Sequence, residues 1–333
     1  MQAIDLFDDV EVSITHQNDA EEDITKNISI DISISAESYI QKDLVELDKA
    51  PEENLAVIAA RKYLNKVDFG KSSRLQIRIH KRIPVAAGLA GGSSNAAATL
   101  LGLEYLNRKN NDSDTGKLSL KELIELGVEI GADVPFSLIS TAKNDPEIFS
   151  IYKDDDMAYL MSSSALCEGI GEKISPFPPA NGQVILIKPD ITVKTSEIYR
   201  LYDEKNDTDK SYDKQPPEQD KNGWGFNVLE PICIKLNPEL EGIMDEAGRI
   251  AEHAKRVFIS GSGPTVVCYY PGRTEASYSE ASGTDTDSTP YDSDESGADT
   301  DSVSFAINDF NELRKVYKDR PDISAVLISG LLV

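Results

Sequence analysis

The chain has 333 residues, of which 40% are hydrophobic and 28% charged, and its formal net charge is −24. That length fits one large domain or two of ordinary size, with enough apolar residues to build a core. So acidic a protein repels nucleic acid and anionic lipid at long range, which argues against binding either through a general basic surface but leaves room for a local phosphate site. No apolar run approaches the length of a membrane-spanning helix, and the start, MQAIDLFDDVEV, lacks the basic and apolar regions of a signal peptide. A soluble, cytoplasmic protein is expected. Cys167, Cys233 and Cys268 are odd in number and widely spaced, so they read as buried thiols rather than as a disulfide frame or a zinc site.

From Leu6 to Ile34 two alternating runs (Val10, Val12, Ile14 and Ile28, Ile30, Ile32, Ile34) flank an acidic stretch, a pattern that predicts an antiparallel hairpin. Leu55, Ile58, Ala59 and Tyr63 stand at helical spacing between Asn54 and Leu64, and Leu75, Ile77 and Ile79 alternate as a strand. A stretch poor in large side chains, Pro84 to Ser94, leads into an Ala- and Leu-rich helix from Asn95 to Leu106. A second helix is predicted over Ser119 to Gly127, then a tight turn over Gly131 to Pro135. Beyond Ser140 the periodicity loosens for some twenty residues. A strand follows at Gln183 to Ile187, and Asp203 to Asn222 reads as an exposed polar loop. Helical spacing returns at Leu240 to Ala254, and a strand from Arg256 runs into Ser260-Gly261-Ser262-Gly263. Residues 274–304 carry nine acids and no basic residue, which predicts disorder. Those nine charges are over a third of the net −24, so the global charge says little about a site. Ala325 to Val333 reads as a last buried strand.

Three constellations carry chemistry. The first is Pro84-Val85-Ala86-Ala87-Gly88-Leu89-Ala90-Gly91-Gly92-Ser93-Ser94, between a strand and a helix. Glycines let successive N–H groups converge on an anion, and the helix N-terminus adds partial positive charge there. Ser93 and Ser94 could cap the helix or offer hydroxyls to phosphate or Mg²⁺. The stretch matches neither G-x-G-x-x-G nor the Walker A pattern. The second is Gly131-Ala132-Asp133-Val134-Pro135-Phe136, in which an acid fixed between glycine and proline suits either a general base or an Asx-type cap. The third, Ser260-Gly261-Ser262-Gly263-Pro264-Thr265, is a second backbone cradle or a tight bend.

In this order the three resemble the GHMP kinase superfamily. With Gly169-Ile170-Gly171-Glu172 and Asn227-Val228-Leu229-Glu230 added, the chain is most similar to the branch of that superfamily that phosphorylates diphosphocytidyl-methylerythritol; homoserine and mevalonate kinases are the alternatives within it. The resemblance runs from Met1 to about Val267, with longer loops at 140–163 and 203–222. It implies an α+β fold of two lobes, residues 1–176 and 177–333, the first like the second domain of a small-subunit ribosomal protein and the second ferredoxin-like. It implies ATP and Mg²⁺, a small-molecule alcohol as acceptor, Pro84 to Ser94 as the ATP phosphate loop, Gly261, Ser262 and Gly263 in its support, and Asp133 as the catalytic base. Thr195 stands where the family can touch substrate but also reads as a strand-end threonine, and Glu172 reads equally as an exposed turn.

The resemblance also implies a departure. The family begins with a strand containing Ala-Lys-Ile-Asn and then Asp-Gly-Tyr-His, whereas Met1 to Leu6 is similar to what comes just after, so a segment of about 20 to 30 residues is expected to be lacking. That expectation carries the loss of a lysine beside Asp133, of the aromatic hold on cytosine and of a sheet neighbour, and leaves two readings: a start assigned too late, or a truncated, disabled nucleotide-binding remnant. Lys26, His16, His80 and His253 read as surface or core residues.

Overall fold

A computed structural model describes residues 1–16, 29–48, 50–67, 73–111, 116–208, 227–272, 300–318 and 320–332. They form two compact units, the first made of 1–85, 90–179 and 332–333 and the second of 86–89 and 180–331.

The first unit has a three-stranded sheet. Strands β1 (Asp9–His16) and β2 (Ser29–Ala36) do not form the hairpin expected of them, because β3 (Ser73–Lys81) lies between the two. Val10, Val12 and Ile14 stand opposite Ile79, Ile77 and Leu75 in the antiparallel β1–β3 pair. Ile30, Ile32 and Ile34 stand opposite Leu75, Ile77 and Ile79 in the parallel β2–β3 pair. A two-residue alternation reports which face is buried and is silent on which strand is the neighbour. The parallel pair needs a crossover, supplied by α1 (Gln41–Asp48) and α2 (Leu55–Lys66). Asn54 caps α2 by accepting from Ala56 N at 3.0 Å.

Helices α3 (Gly91–Asn110), α4 (Leu120–Val128), α5 (Val134–Asn144) and α6 (Pro146–Tyr152) complete this core. Helix α4 begins in a full capping box between Ser119 and Glu122. The loosened pattern after Ser140 is in fact helical: α5 runs on to Asn144, and Asp145 caps α6 by accepting from Glu147 N and Ile148 N. A two-stranded ribbon, β4 (Ala165–Glu168) and β5 (Lys173–Pro176), follows. Residues 1–3 run beside 163–165, with Ala3 N bonded to Ser163 O and Ala165 N to Met1 O.

The second unit has a wholly antiparallel sheet in the order β7 (Arg256–Ile259), β8 (Val266–Pro271), β6 (Gly182–Pro189), β9 (Ile323–Gly330). With it go α7 (Thr195–Thr208), α8 (Glu230–Leu236), α9 (Glu239–Ile250) and α10 (Thr300–Tyr317). The polar stretch expected to be a loop from Asp203 is thus helical to Thr208, because α7 buries Ile198; 209–222 lie outside the described residues. Residues 300–304, placed in the expected disordered stretch, open α10, which is held by the buried Ala306 and Leu313; 274–299 lie outside the described residues. Burial pushes the thiols of Cys233 and Cys268 up to about 11 and about 12, in line with inert buried cysteines. Cys167 is only half-buried, because β4 is half-exposed along its length.

One buried polar cluster ties the first unit together behind α3. Glu104, wholly buried, accepts from Tyr63 Oη at 2.7 Å, Arg108 Nε at 2.6 Å and Leu118 N at 3.0 Å. Arg108 also donates to Leu118 O at 2.7 Å and lies over the Tyr152 ring. Replacing Glu104 with alanine leaves a guanidinium and a main-chain N–H without their acceptor, and should cost about 3 kcal/mol. The midpoint of urea unfolding measures it.

Candidate functional site

Within the first unit the chain leaves β3 through the buried Ile83 and Pro84 and the half-buried Val85, and re-enters at Ala90. Ala90 sits in the left-handed region at φ 53°, and α3 starts at once, at Gly91. The helix therefore begins four residues before the point its propensity predicts, and Gly92, Ser93 and Ser94 form its first turn. Ser93 and Ser94 are not caps: Ala90 holds the N-cap position and no side chain caps the helix. The first N–H groups of a helix have no acceptor within it, so Gly91, Gly92 and Ser93 offer a row of donors where the helix dipole is positive. A side chain at Gly91 has no room, since its Cβ would stand 2.9 Å from Ile83 Cγ2.

The second motif lies beside the first. A Cβ at Gly131 would come within 4.0 Å of Ser93 Oγ, which brings the Gly131 turn against the start of α3. Asp133 is the N-cap residue of α5, yet its carboxylate makes no capping bond; its main-chain oxygen instead accepts from Ser137 N and Ser137 Oγ. An acid spent on capping would have lost its proton-accepting freedom, and this one keeps it. Burial raises the Asp133 carboxyl above the usual aspartate range. The 169–172 turn packs on the same place, so closely that a Cβ on Gly171 would stand on Ala132 O. Glu172 closes that turn, accepting from Ile170 N at 2.6 Å, and the N–H groups of Glu172 and Ile170 hold its carboxyl low. Its role is in the turn.

In the second unit, the 86–89 stretch meets the third motif through Gly88. Gly88 (φ 69°) is the point of closest approach: a Cβ there would stand 2.6 Å from Gly263 O and 2.7 Å from Ser260 O. Ser260 Oγ donates to Gly88 O at 3.0 Å. A Cβ on Gly263 would meet Cys233 Sγ at 2.5 Å, and one on Gly261 would meet Gly88 O at 3.1 Å. Ser262, buried, hydrogen-bonds Thr195 at 2.9 Å between hydroxyls, and Thr195 opens α7 instead of ending a strand.

Sequence reasoning marked Asn227 and Glu230 only as part of a pattern, and the structure gives both work. Asn227 Nδ2 donates to Ile259 O at 2.7 Å and to Gly261 O at 2.8 Å, while Glu230 accepts from Ile259 N at 2.7 Å. Both stitch the third motif to α8. His80 is bonded to Ser35 and Glu37 and His253 to Asp309, partners outside the three motifs. Lys26 and the side chain of His16 lie outside the described residues. Among the described residues no three His, Cys, Asp or Glu side chains gather as a metal cluster, and no helix is long and apolar enough to cross a membrane.

Known proteins match this arrangement. The family model described as the GHMP kinases N terminal domain matches residues 54–141, a span holding the first two motifs. The 4-diphosphocytidyl-2-C-methyl-D-erythritol kinase of Lachnoclostridium phytofermentans is 35% identical over 234 residues, 68% of this chain and 69% of that protein. The enzyme of the same name from Bacillus pumilus is 38% identical over 244 residues, 67% of this chain and 73% of that protein. A crystal structure of 4-(cytidine 5'-diphospho)-2C-methyl-D-erythritol kinase superposes with a TM-score of 0.58 over 98% of this chain and 87% of that one, at 20% identity, and shows the shared α+β fold. The chain belongs to the 4-diphosphocytidyl-2-C-methyl-D-erythritol kinase family of GHMP small-molecule kinases.

Proposed function

We propose that the chain transfers the γ-phosphoryl group of ATP to the 2-hydroxyl of 4-diphosphocytidyl-2-C-methyl-D-erythritol, with Asp133 as the base. The observation that carries the reading is the Asp133 carboxylate, half-buried and uncommitted to a cap, on a turn whose Gly131 lies against Ser93 in the first turn of a helix whose first N–H groups are open. A phosphoryl-transfer enzyme needs little covalent chemistry of its own; it must hold the phosphates, position the alcohol and take its proton. Asp133 accepts the hydroxyl proton on a carboxylate oxygen as the alcohol oxygen bonds to the γ-phosphorus and ADP leaves. The N–H groups of Gly91, Gly92 and Ser93 bear on the charge that spreads over the γ-oxygens. Pro84, Val85, Ala86, Ala87, Gly88, Leu89 and Ala90 carry the phosphates up to that helix, and Gly261, Ser262 and Gly263 back the loop through Gly88.

The donors suit Mg²⁺. That ion is held by one or two oxygen ligands with phosphates and water rather than by a protein cage, and the hydroxyl of Ser93 or Ser94 would offer such a ligand. When bound, Mg²⁺ neutralises charge on the β- and γ-phosphates. In this reading residues 1–176 are the amino-terminal kinase domain, 177–333 the carboxy-terminal one, and the enzyme works in the cytoplasm on a small-molecule substrate.

A coupled ADP-release assay with ATP, Mg²⁺ and the diphosphocytidyl alcohol tests the proposal. Asp133→Asn should lower kcat by about a thousandfold or more while KM for ATP stays nearly constant; an unchanged kcat removes Asp133 from the chemistry.

The same carboxyl sets a pH dependence. Its folded pKa lies above its unfolded value because burial penalises the charge, so the folded chain holds that proton more tightly than the unfolded chain. The stability this contributes is present at low pH and lost as pH rises through the folded pKa. At neutral pH the ionised Asp133 is therefore a cost, and Asp133→Asn should raise the thermal midpoint while it removes activity. Parent kcat should fall on acidification along a limb lying above the ordinary aspartate range, readable from a pH–rate profile.

A further inference from the structure

Asp8 carries no part of the three motifs, yet its side chain is 1% exposed and every one of its contacts lies at a stem of the 84–94 loop. On one side, Oδ1 accepts from Arg82 N at 2.7 Å and from Ile83 N at 2.8 Å, the last two N–H groups before Pro84. On the other, Oδ2 accepts from Asn95 Nδ2 at 3.0 Å, and Asn95 is the first residue after Ser94. The same Oδ2 takes Lys81 Nζ at 2.5 Å, so the buried charge is paired. Asn95 is itself buried at 6% and Lys81 at 6%.

One carboxylate thus closes a ring: Asp8, the end of β3, the loop, the first turn of α3, and Asn95 back to Asp8. The neighbours of Asp8 reinforce it, since Asp9 pairs with Arg82 at 2.7 Å and Phe7 stacks under the same guanidinium.

We infer that Asp8 is a positioning residue for nucleotide: by joining both stems of the loop it fixes the angle at which the first N–H groups of α3 meet the ATP phosphates. The inference rests on the reading of 84–94 as the phosphate loop. Anion binding by backbone amides depends on their pointing at one place, and a displacement of an ångström in such donors is felt strongly in rate and affinity. Asn95 fills the fourth acceptor site of the carboxylate, beside Lys81 and the two main-chain N–H groups, and it is the one donor of the four that comes from the far stem.

The decisive variant is Asn95→Ala, which cuts the far stem and leaves the other three bonds of Asp8 in place. It should raise KM for ATP roughly tenfold with KM for the alcohol unchanged. Asp8→Ala should raise KM for ATP as well, and the double variant should be no worse than Asp8→Ala, because both cut the same tie. A KM for ATP within about twofold of the parent in folded Asn95→Ala, or strictly additive effects in the double variant, would overturn the inference. If Asp8→Ala does not fold, Asn95→Ala decides alone.

Gly88→Ala separates the two readings. It forces a methyl into main-chain oxygens and should abolish ATP binding if 84–94 is the phosphate loop. Loss in Gly88→Ala with a normal Asn95→Ala leaves the loop reading standing and sinks the clasp. Normal ATP binding in Gly88→Ala sinks both.

Discussion

The fit of Gly88 against Ser260 and Gly263 leaves no space for a single methyl group, and much of the second unit serves that contact. Asn227, Glu230 and Thr195 come from α7, α8 and the residues before it, and each ends on the Ser260–Gly263 turn or the strand that feeds it. Main-chain atoms alone cannot hold such a turn against the entropy of an open loop. The Asn227 amide and the Glu230 carboxylate supply bonds that main-chain groups would otherwise leave unmade, and the Thr195 hydroxyl holds the Ser262 side chain.

The first unit solves the matching problem differently. There the row of free N–H groups is a helix start left uncapped, which costs local stability. The N-terminal turn is compensated from behind: Ile83 fills the space above Gly91, Asp8 and Asn95 bind the stems, and the Glu104 cluster anchors the far half of α3. Asp133 follows the same logic, a helix-start acid withheld from the capping bond that residue type usually makes. Two rules of helix termini are broken side by side, which is where departures from local rules mark function.

What could be read from the sequence was what short spacing encodes. The glycine and serine stretches, the Gly131–Pro135 turn and the periodic helices are statements about neighbours within a dozen residues. Strand partners are not, and so Val10–Ile14 and Ile30–Ile34 were alike in pattern though one pairs antiparallel and the other parallel to β3. The start of α3 lies ahead of the propensity signal because glycine lowers helix propensity, whereas Gly91 is demanded by the packing of Ile83. Asp8 was invisible among Asp5 and Asp9 because its partners lie 73 to 87 residues away. The local word Asn227-Val-Leu-Glu was visible, and the carbonyls it serves were not.

The intimacy of Gly88 with the third motif also bears on how such a chain can be rearranged by recombination. Residues 86–89 belong to the second compact unit although 85 and 90 belong to the first, and 332–333 return to the first. No single cut parts the chain into its two units. A crossover between relatives at residue 180 would therefore exchange one side of a contact with no tolerance for a methyl group and keep the other. Viable chimeras must carry 86–89 together with 260–263, so two stretches some 170 residues apart are inherited as one piece of structure.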